Sequence, residues 1–218
     1  MLGLLAVGCP DSGGGPGLPA SQLGAQYASA FCRKAFTCCD TTELPSHTPT
    51  MVDEATCRTM VAAAIDAEVA DNEPSVAAGR AVYHGDRAQR CLDALNALPC
   101  EQWGYDDELD RFPDCVTVFT GTLAPGTPCE HSVDCAGGHC NLVDGCIADG
   151  KLGQACEIGS CLPELVCHVS ATSAAATCGD LLPDGSPCLY SNECFSQVCA
   201  MNAAGDPVCT PPTMCNGV

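Results

Sequence analysis

Cysteine is the residue most able to do chemistry in this chain, and its spacing decides which chemistry that is. Twelve of the 21 cysteines fall into three four-residue sets: Cys129, Cys135, Cys140 and Cys146; Cys156, Cys161, Cys167 and Cys178; Cys188, Cys194, Cys199 and Cys209. The sets open with Gly126-Thr127-Pro128-Cys129, Gly153-Gln154-Ala155-Cys156 and Gly185-Ser186-Pro187-Cys188. A repeat of this length means small modules in series. Thiol–disulfide exchange of the thioredoxin kind calls for Cys-x-x-Cys, which occurs nowhere in the chain. Bridging is the chemistry that remains. Four cysteines allow three pairings, of which first to third with second to fourth is favoured. Cys38 and Cys39 are adjacent. They could close a strained redox-active ring, but the better reading sends them to different partners on neighbouring sides of a helix.

Other candidate groups are weaker. His139 beside Cys140 and His168 beside Cys167 suggest zinc, yet an oxidised cysteine is not a zinc ligand, so these two, with His47, His84 and His131, read as surface loop histidines. Asp106, Asp107, Glu108 and Asp110 offer oxygens for weak calcium binding, but the alternating ligands, glycine and closing glutamate of an EF-hand loop are missing, and a solvated acidic face is the simpler reading. The chain contains neither a Gly-x-Ser-x-Gly elbow nor a phosphate-binding loop signature. We therefore expect no metal, no cofactor and no enzymatic activity.

Positioning the cysteines requires first an oxidising compartment and then elements to carry them. Disulfides at this density persist outside the reducing cytosol. The opening Met1-Leu2-Gly3-Leu4-Leu5-Ala6-Val7-Gly8-Cys9, followed by a glycine-rich stretch, resembles the lipobox of bacterial lipoproteins, in which the cysteine carries diacylglycerol. The resemblance implies a signal-peptide remnant over residues 1–8, a lipid on Cys9 and a flexible tether over residues 9–20; the alternative is a frayed terminus with a chance cysteine. Setting Cys9 aside leaves 20 cysteines, an even number that can close into disulfides. The charge of −19 offers no basic face: residues 112–218 hold 11 acidic side chains against Lys151 alone. Nucleic acid is thereby disfavoured as a partner.

Residues 21–119 have helical periodicity. Leu23, Tyr27, Phe31, Ala35 and Cys38 form one stripe, which Asp40 and Pro45 should stop. A second helix is predicted after a Thr50 cap, with Cys57, Met60, Val61, Ala64, Ile65 and Val69 on its stripe and Asp71-Asn72-Glu73-Pro74 as its end. A third should run from an Asp86 cap through Cys91, Leu92, Leu95 and Leu98. Cys32, Cys38, Cys39, Cys57, Cys91, Cys100 and Cys115 would staple these helices, but seven is odd: one must pair outside the set, stay free or bond another chain, and Cys215 is the obvious candidate partner. Beyond Thr120 periodicity gives way to turns, with Tyr190 and Phe195 the only large aromatic residues. Disulfides must replace a core there, each contributing about 2 to 4 kcal/mol.

The phrase Gly-Thr-Pro-Cys129, Asp134-Cys135, Gly138-His139-Cys140, echoed at Gly-Ser-Pro-Cys188, Glu193-Cys194 and Val198-Cys199, resembles the cysteine-rich repeat of the Dickkopf N-terminal type. Related repeats occur in predicted lipoproteins of myxobacteria, where a helical region resembling Phe31-Cys32 to Cys38-Cys39 precedes them. The resemblance covers residues 25 to 210 and implies an exported, non-catalytic binding module of the bacterial cell envelope.

The expected fold is a stapled short-helix domain over 21–119 followed by irregular modules with short β-hairpins over 120–150, 151–181 and 182–218. The expected function is that of an envelope-anchored lipoprotein, held extracytoplasmically by a lipid on Cys9, that binds a protein or a glycan. Two rivals stand beside it: a structural spacer, and a small protease inhibitor or enzyme on the helical domain with Trp103 and Tyr105 lining a groove.

Overall fold

The computed structural model describes residues 17–39, 52–100, 103, 112–156, 160–162, 165–169, 176–194, 196 and 198–211. Cys9, Cys215, His47, Tyr105 and the run from Asp106 to Asp110 lie outside the described residues, as do Asp40, Pro45 and Thr50.

Helix α1 (Ala20–Cys38) buries Leu23, Tyr27, Phe31, Ala35 and Cys38, a stripe spaced every three or four residues. It packs on α2 (Glu54–Ala77), whose cap is Asp53 rather than Thr50: the Asp53 side chain accepts from the Thr56 N–H at 2.6 Å. That bond satisfies one orphan donor of the first turn, and it holds the Asp53 carboxyl below its ordinary value.

The end of α2 differs from the sequence expectation. Pro74 lies inside the helix, which continues to Ala77. Proline in a last turn removes one N–H, and the carbonyls beyond it still find donors: Ala78 N–H bonds the Pro74 carbonyl at 3.0 Å. The stop is Gly79, at φ +71°. Its N–H bonds the Val76 carbonyl at 3.0 Å, and the Arg80 N–H bonds the Ser75 carbonyl at 2.9 Å, which is the pair of bonds of a Schellman turn. The turn reverses the chain into β1 (Ala81–Tyr83) and fixes where Arg80 emerges.

Helix α3 (Gly85–Ala97) is capped by the backbone at His84. Asp86, expected at the cap, sits in the first turn and bonds Arg90 at 2.9 Å. After α4 (Pro113–Val116), strand β2 (Phe119–Gly121) pairs antiparallel with β1 in the register Ala81↔Gly121, Val82↔Thr120 and Tyr83↔Phe119. This strand crosses the 119/120 division and so ties the start of the first module to the helices.

One apolar core serves the helical region, built from Leu23, Tyr27, Phe31, Leu92, Leu95 and Trp103 with their neighbours. Trp103 is 1% exposed, its ring 5.2 Å from that of Phe31. It is core, not groove lining; its companion in the inhibitor reading, Tyr105, lies outside the described residues. Cys32–Cys57 joins α1 to α2, and Cys91–Cys115 joins α3 to α4. Cys38 bonds Cys100, while its neighbour Cys39 is disulfide-bonded to a cysteine outside the described residues. The adjacent pair thus forms no ring, and the odd member of the helical set is Cys39.

Past β2 each four-cysteine set forms one hairpin: β3 (Gly138–Asn141) with β4 (Gly145–Ala148), β5 (Leu165–Val169) with β6 (Ala176–Asp180), and β7 (Cys199–Met201) with β8 (Pro207–Cys209). The third and fourth cysteines face each other across each hairpin, at Cys140↔Cys146, Cys167↔Cys178 and Cys199↔Cys209. They bond elsewhere. The third cysteine takes the first (Cys129–Cys140, Cys156–Cys167, Cys188–Cys199), and the fourth takes the second (Cys135–Cys146, Cys161–Cys178, Cys194–Cys209). The buried cluster of the third module is Cys188, Cys194 and Cys209, packed by Leu182 and Cys199. Sulfur takes the place that Leu and Phe hold in the helical core.

The shared opening of the modules has a backbone cause. Gly126, Gly153 and Gly185 have φ of 81°, 79° and 86°. Each is the third residue of a tight turn, closed by Thr127 N–H to Ala124, Gln154 N–H to Lys151 and Ser186 N–H to Pro183 carbonyls at 2.9 to 3.1 Å. A positive φ at that position defines the type II turn and favours glycine. The same glycine N–H bonds the carbonyl of the fourth cysteine at 2.7 Å in every module. Gly185→Ala should therefore cost about 1 kcal/mol in chemical denaturation although nothing lies within 4 Å of the added Cβ. Gly185→Asn should cost less than Gly185→Val, because asparagine tolerates the left-handed region.

Candidate functional site

The first and third modules each carry a carboxylate one residue before their second cysteine, in a short 3₁₀ turn (Ser132–Asp134 and Ser191–Glu193). Asp134 is completely buried. Its Oδ2 accepts the N–H groups of Glu130 at 3.0 Å and His131 at 3.2 Å, while Arg80 Nε lies 3.2 Å from Oδ1. Burial pushes the carboxyl up, but the Ser75 hydroxyl, these two N–H groups and Arg80 outweigh it and hold the group at about 2. Arg80 also pairs with the exposed Glu130. Thr122 completes the joint: its hydroxyl donates to the carbonyls of Gly79 and Arg80, and its N–H to those of Arg80 and Asp134. The Schellman turn thus aims a cation from the helical region at the buried anion of the first module.

Glu193 is placed in a similar way two joints later. It is 3% exposed, its Oε2 accepts Leu189 N–H at 2.6 Å and Tyr190 N–H at 3.0 Å, and its Oε1 lies 3.6 Å from Nδ1 of His168 in the second module. The other ring nitrogen of His168, Nε2, lies 2.8 Å from the Asp180 carbonyl. The second module has Ser160 where its neighbours have an acid. Even so, all three repeat one backbone bond near the module opening: Leu123 N–H to Asp134, Gly150 N–H to Ser160 and Leu182 N–H to Glu193 carbonyls, at 2.9, 2.6 and 2.7 Å, the second of which joins the first module to the second.

The candidate groups of the sequence fall out as follows. Three sulfurs lie close together in each module, as in Cys129, Cys135 and Cys146, but each is in a disulfide and offers no thiolate. His139 does not stand alone in a loop: on β3, its Nδ1 lies 2.8 Å from Asp149 Oδ1. His84 meets the Thr120 hydroxyl at 2.7 Å, and burial together with Arg87 holds it below its ordinary value.

Sequence reasoning missed two surface features. Leu142 and Val143, at the turn of the first hairpin, are 83% and 90% exposed, and Met201 is 72% exposed at the end of β7; apolar residues between Asn141 and Gly145 were the available signal. The second is a groove of about 770 Å³ between α1, α2, β2 and the first module. It arises only because β2 joins the helices to that module, which spacing along the chain does not reveal.

The chain matches no family model, no curated protein and no solved structure. Its disulfides point to an extracytoplasmic protein. Among the described residues no helix is long and apolar enough to cross a membrane.

Asp134→Asn should lower stability by roughly 2 kcal/mol, since it removes the charge paired with Arg80 and turns an acceptor into a donor; a thermal melt checks this. The folded-state value of about 2 lies below the ordinary 3.8, so the carboxylate stabilises the fold above about pH 4. That contribution is lost as pH falls from about 4 towards 2, and the Asn variant should lack this part of the acid transition.

Proposed function

We propose that the protein is a non-catalytic, lipid-anchored component of the bacterial cell envelope that presents its stapled modules to another protein or a glycan. The observation that carries the reading is the material of the modules. They are built from crossed disulfides and turns, and their exposed surface includes large side chains: Leu189 and Tyr190 in one loop, Leu142 and Val143 in a hairpin turn. Tyrosine and large apolar groups held on rigid backbone are common anchors in protein interfaces. A lipid on Cys9 would supply the membrane attachment, with the glycine-rich residues after it as tether.

The spacer reading has its own support in the contacts between successive segments: Gly150 N–H bonds the Ser160 carbonyl across the first and second modules, and His168 of the second lies 3.6 Å from Glu193 of the third. The two readings separate on mutation. In a binder, altering the exposed Leu189–Tyr190 side chains should reduce partner capture at least tenfold with the melting temperature unchanged; a spacer should tolerate that change and the deletion of a whole module. Asp134 and Glu193 are left out of this test because they are buried.

Mass spectrometry of the native, non-reduced protein tests the anchor. It should find diacylglycerol on Cys9 and Cys39 bonded to Cys215. A disulfide between Cys9 and Cys39 would exclude the lipid, and free thiols at most cysteines would exclude export.

A further inference from the structure

The two carboxylates buried at module boundaries are met by different kinds of base. Asp134 faces Arg80, a guanidinium that stays charged at every physiological pH. Glu193 faces His168, and an imidazole changes its charge between about pH 5 and 8. Apart from the exposed Lys151, residues 112–218 hold no lysine or arginine to stand in for that histidine.

Both nitrogens of the His168 ring are engaged. Nε2 lies 2.8 Å from the Asp180 carbonyl, and a carbonyl only accepts, so Nε2 carries a hydrogen. A neutral ring then has a lone pair on Nδ1, the atom that lies 3.6 Å from Glu193 Oε1. The other oxygen of Glu193 accepts the N–H groups of Leu189 at 2.6 Å and Tyr190 at 3.0 Å, which fixes the carboxylate to its own loop. The ring is seated against Gly179, where a Cβ would stand 2.3 Å from its Cδ2. Strand β6 and the 3₁₀ turn Ser191–Glu193 pack against β5. Their titratable side chains are Asp180, which is exposed and meets the ring through its main-chain carbonyl, and the buried Glu193. A neutral His168 therefore turns a lone pair towards an anion, and a charged one turns an N–H towards it.

We propose that the joint between the second and third modules is a proton-operated clamp, closed when His168 is charged and loosened when its ring is neutral. Protonation adds a hydrogen at Nδ1 and turns repulsion into a charge-assisted attraction, while Nε2 keeps its bond to Asp180. The clamp is tight in mildly acidic solution and is released as pH rises through the histidine range. The joint at Arg80 and Asp134 has no such response there, because the arginine stays charged and the Asp134 carboxyl is held at about 2. The loop of Leu189 and Tyr190 hangs from the carboxylate that the clamp grips, so its setting follows pH as well. The consequence for partner capture rests on reading the protein as a binder; the clamp itself does not.

Amide hydrogen exchange of the full-length protein tests the clamp without any partner. The reporter is the Leu182 N–H, bonded to the Glu193 carbonyl at 2.7 Å where the second hairpin runs into the third module. Its protection factor, corrected for the intrinsic exchange rate, should be about fivefold higher at about pH 5 than at about pH 8. The Leu123 N–H, bonded to the Asp134 carbonyl at 2.9 Å, is the control and should keep one protection factor at both. His168→Gln retains a donor for the Asp180 carbonyl but takes up no proton, so it should hold Leu182 at the weaker, alkaline value throughout. The His168 side chain is 25% exposed and the substitution leaves both disulfides of its module in place, so the variant folds. The proposal is overturned if Leu182 is equally protected at the two pH values or better protected at the higher one, if His168→Gln retains the difference, or if Leu123 changes as much as Leu182. A flat response at Leu182 leaves the binder reading untouched, whereas loss of partner capture on altering Leu189–Tyr190 bears on that reading alone.

Discussion

The crossed pair of disulfides is the constraint on which the modular half of the molecule depends. Each hairpin brings its third and fourth cysteines opposite one another and then sends them to two different upstream cysteines. A two-stranded hairpin alone is marginal in water, and these strands are three to five residues long. Two bridges that close overlapping loops leave the unfolded chain far fewer conformations, and so supply what burial cannot. The type II turn at the module opening then bonds the fourth cysteine's backbone, so that covalent and hydrogen-bonded restraints converge on one residue.

The helical half is organised differently. Leu, Phe, Tyr and Trp side chains form one core, and Cys32–Cys57 and Cys38–Cys100 fasten helices that already have apolar faces to bury. The two kinds of construction meet at Arg80 and Asp134. The buried carboxylate is first satisfied by its own module's N–H groups and then reached by a cation from outside. A buried charge that lost either partner would carry the cost of desolvation. That double requirement makes the junction specific: the first module is seated by an anion that cannot turn to water. Glu193 and His168 repeat the arrangement at the last joint.

Much of the helical region was legible because periodicity is local. The stripe of α1 and the apolar positions of α3 follow from spacings of three and four residues. Pro74 misled because its meaning depends on position: it stops a helix it would interrupt, but in a final turn it costs one bond. The true stop, Gly79, carries a signal readable only once the Schellman bonds are known. By residue type Trp103 could have been groove or core, and only packing against Phe31 decides for core.

By itself the sequence determined the cysteine arithmetic, the repeat, the acidic surface and the change from helix to turn at residue 120, because each is written in residue type and short spacing. Tertiary structure decided which carboxylates are buried, that Cys39 is the odd member of the helical set, and that β2 pairs with β1 and so ties the first module to the helices. Those outcomes depend on contacts between residues far apart in the chain, such as Arg80 with Asp134 and Val82 with Thr120. Chain spacing carries no record of them, since their free energy exists only once the helices and modules have met.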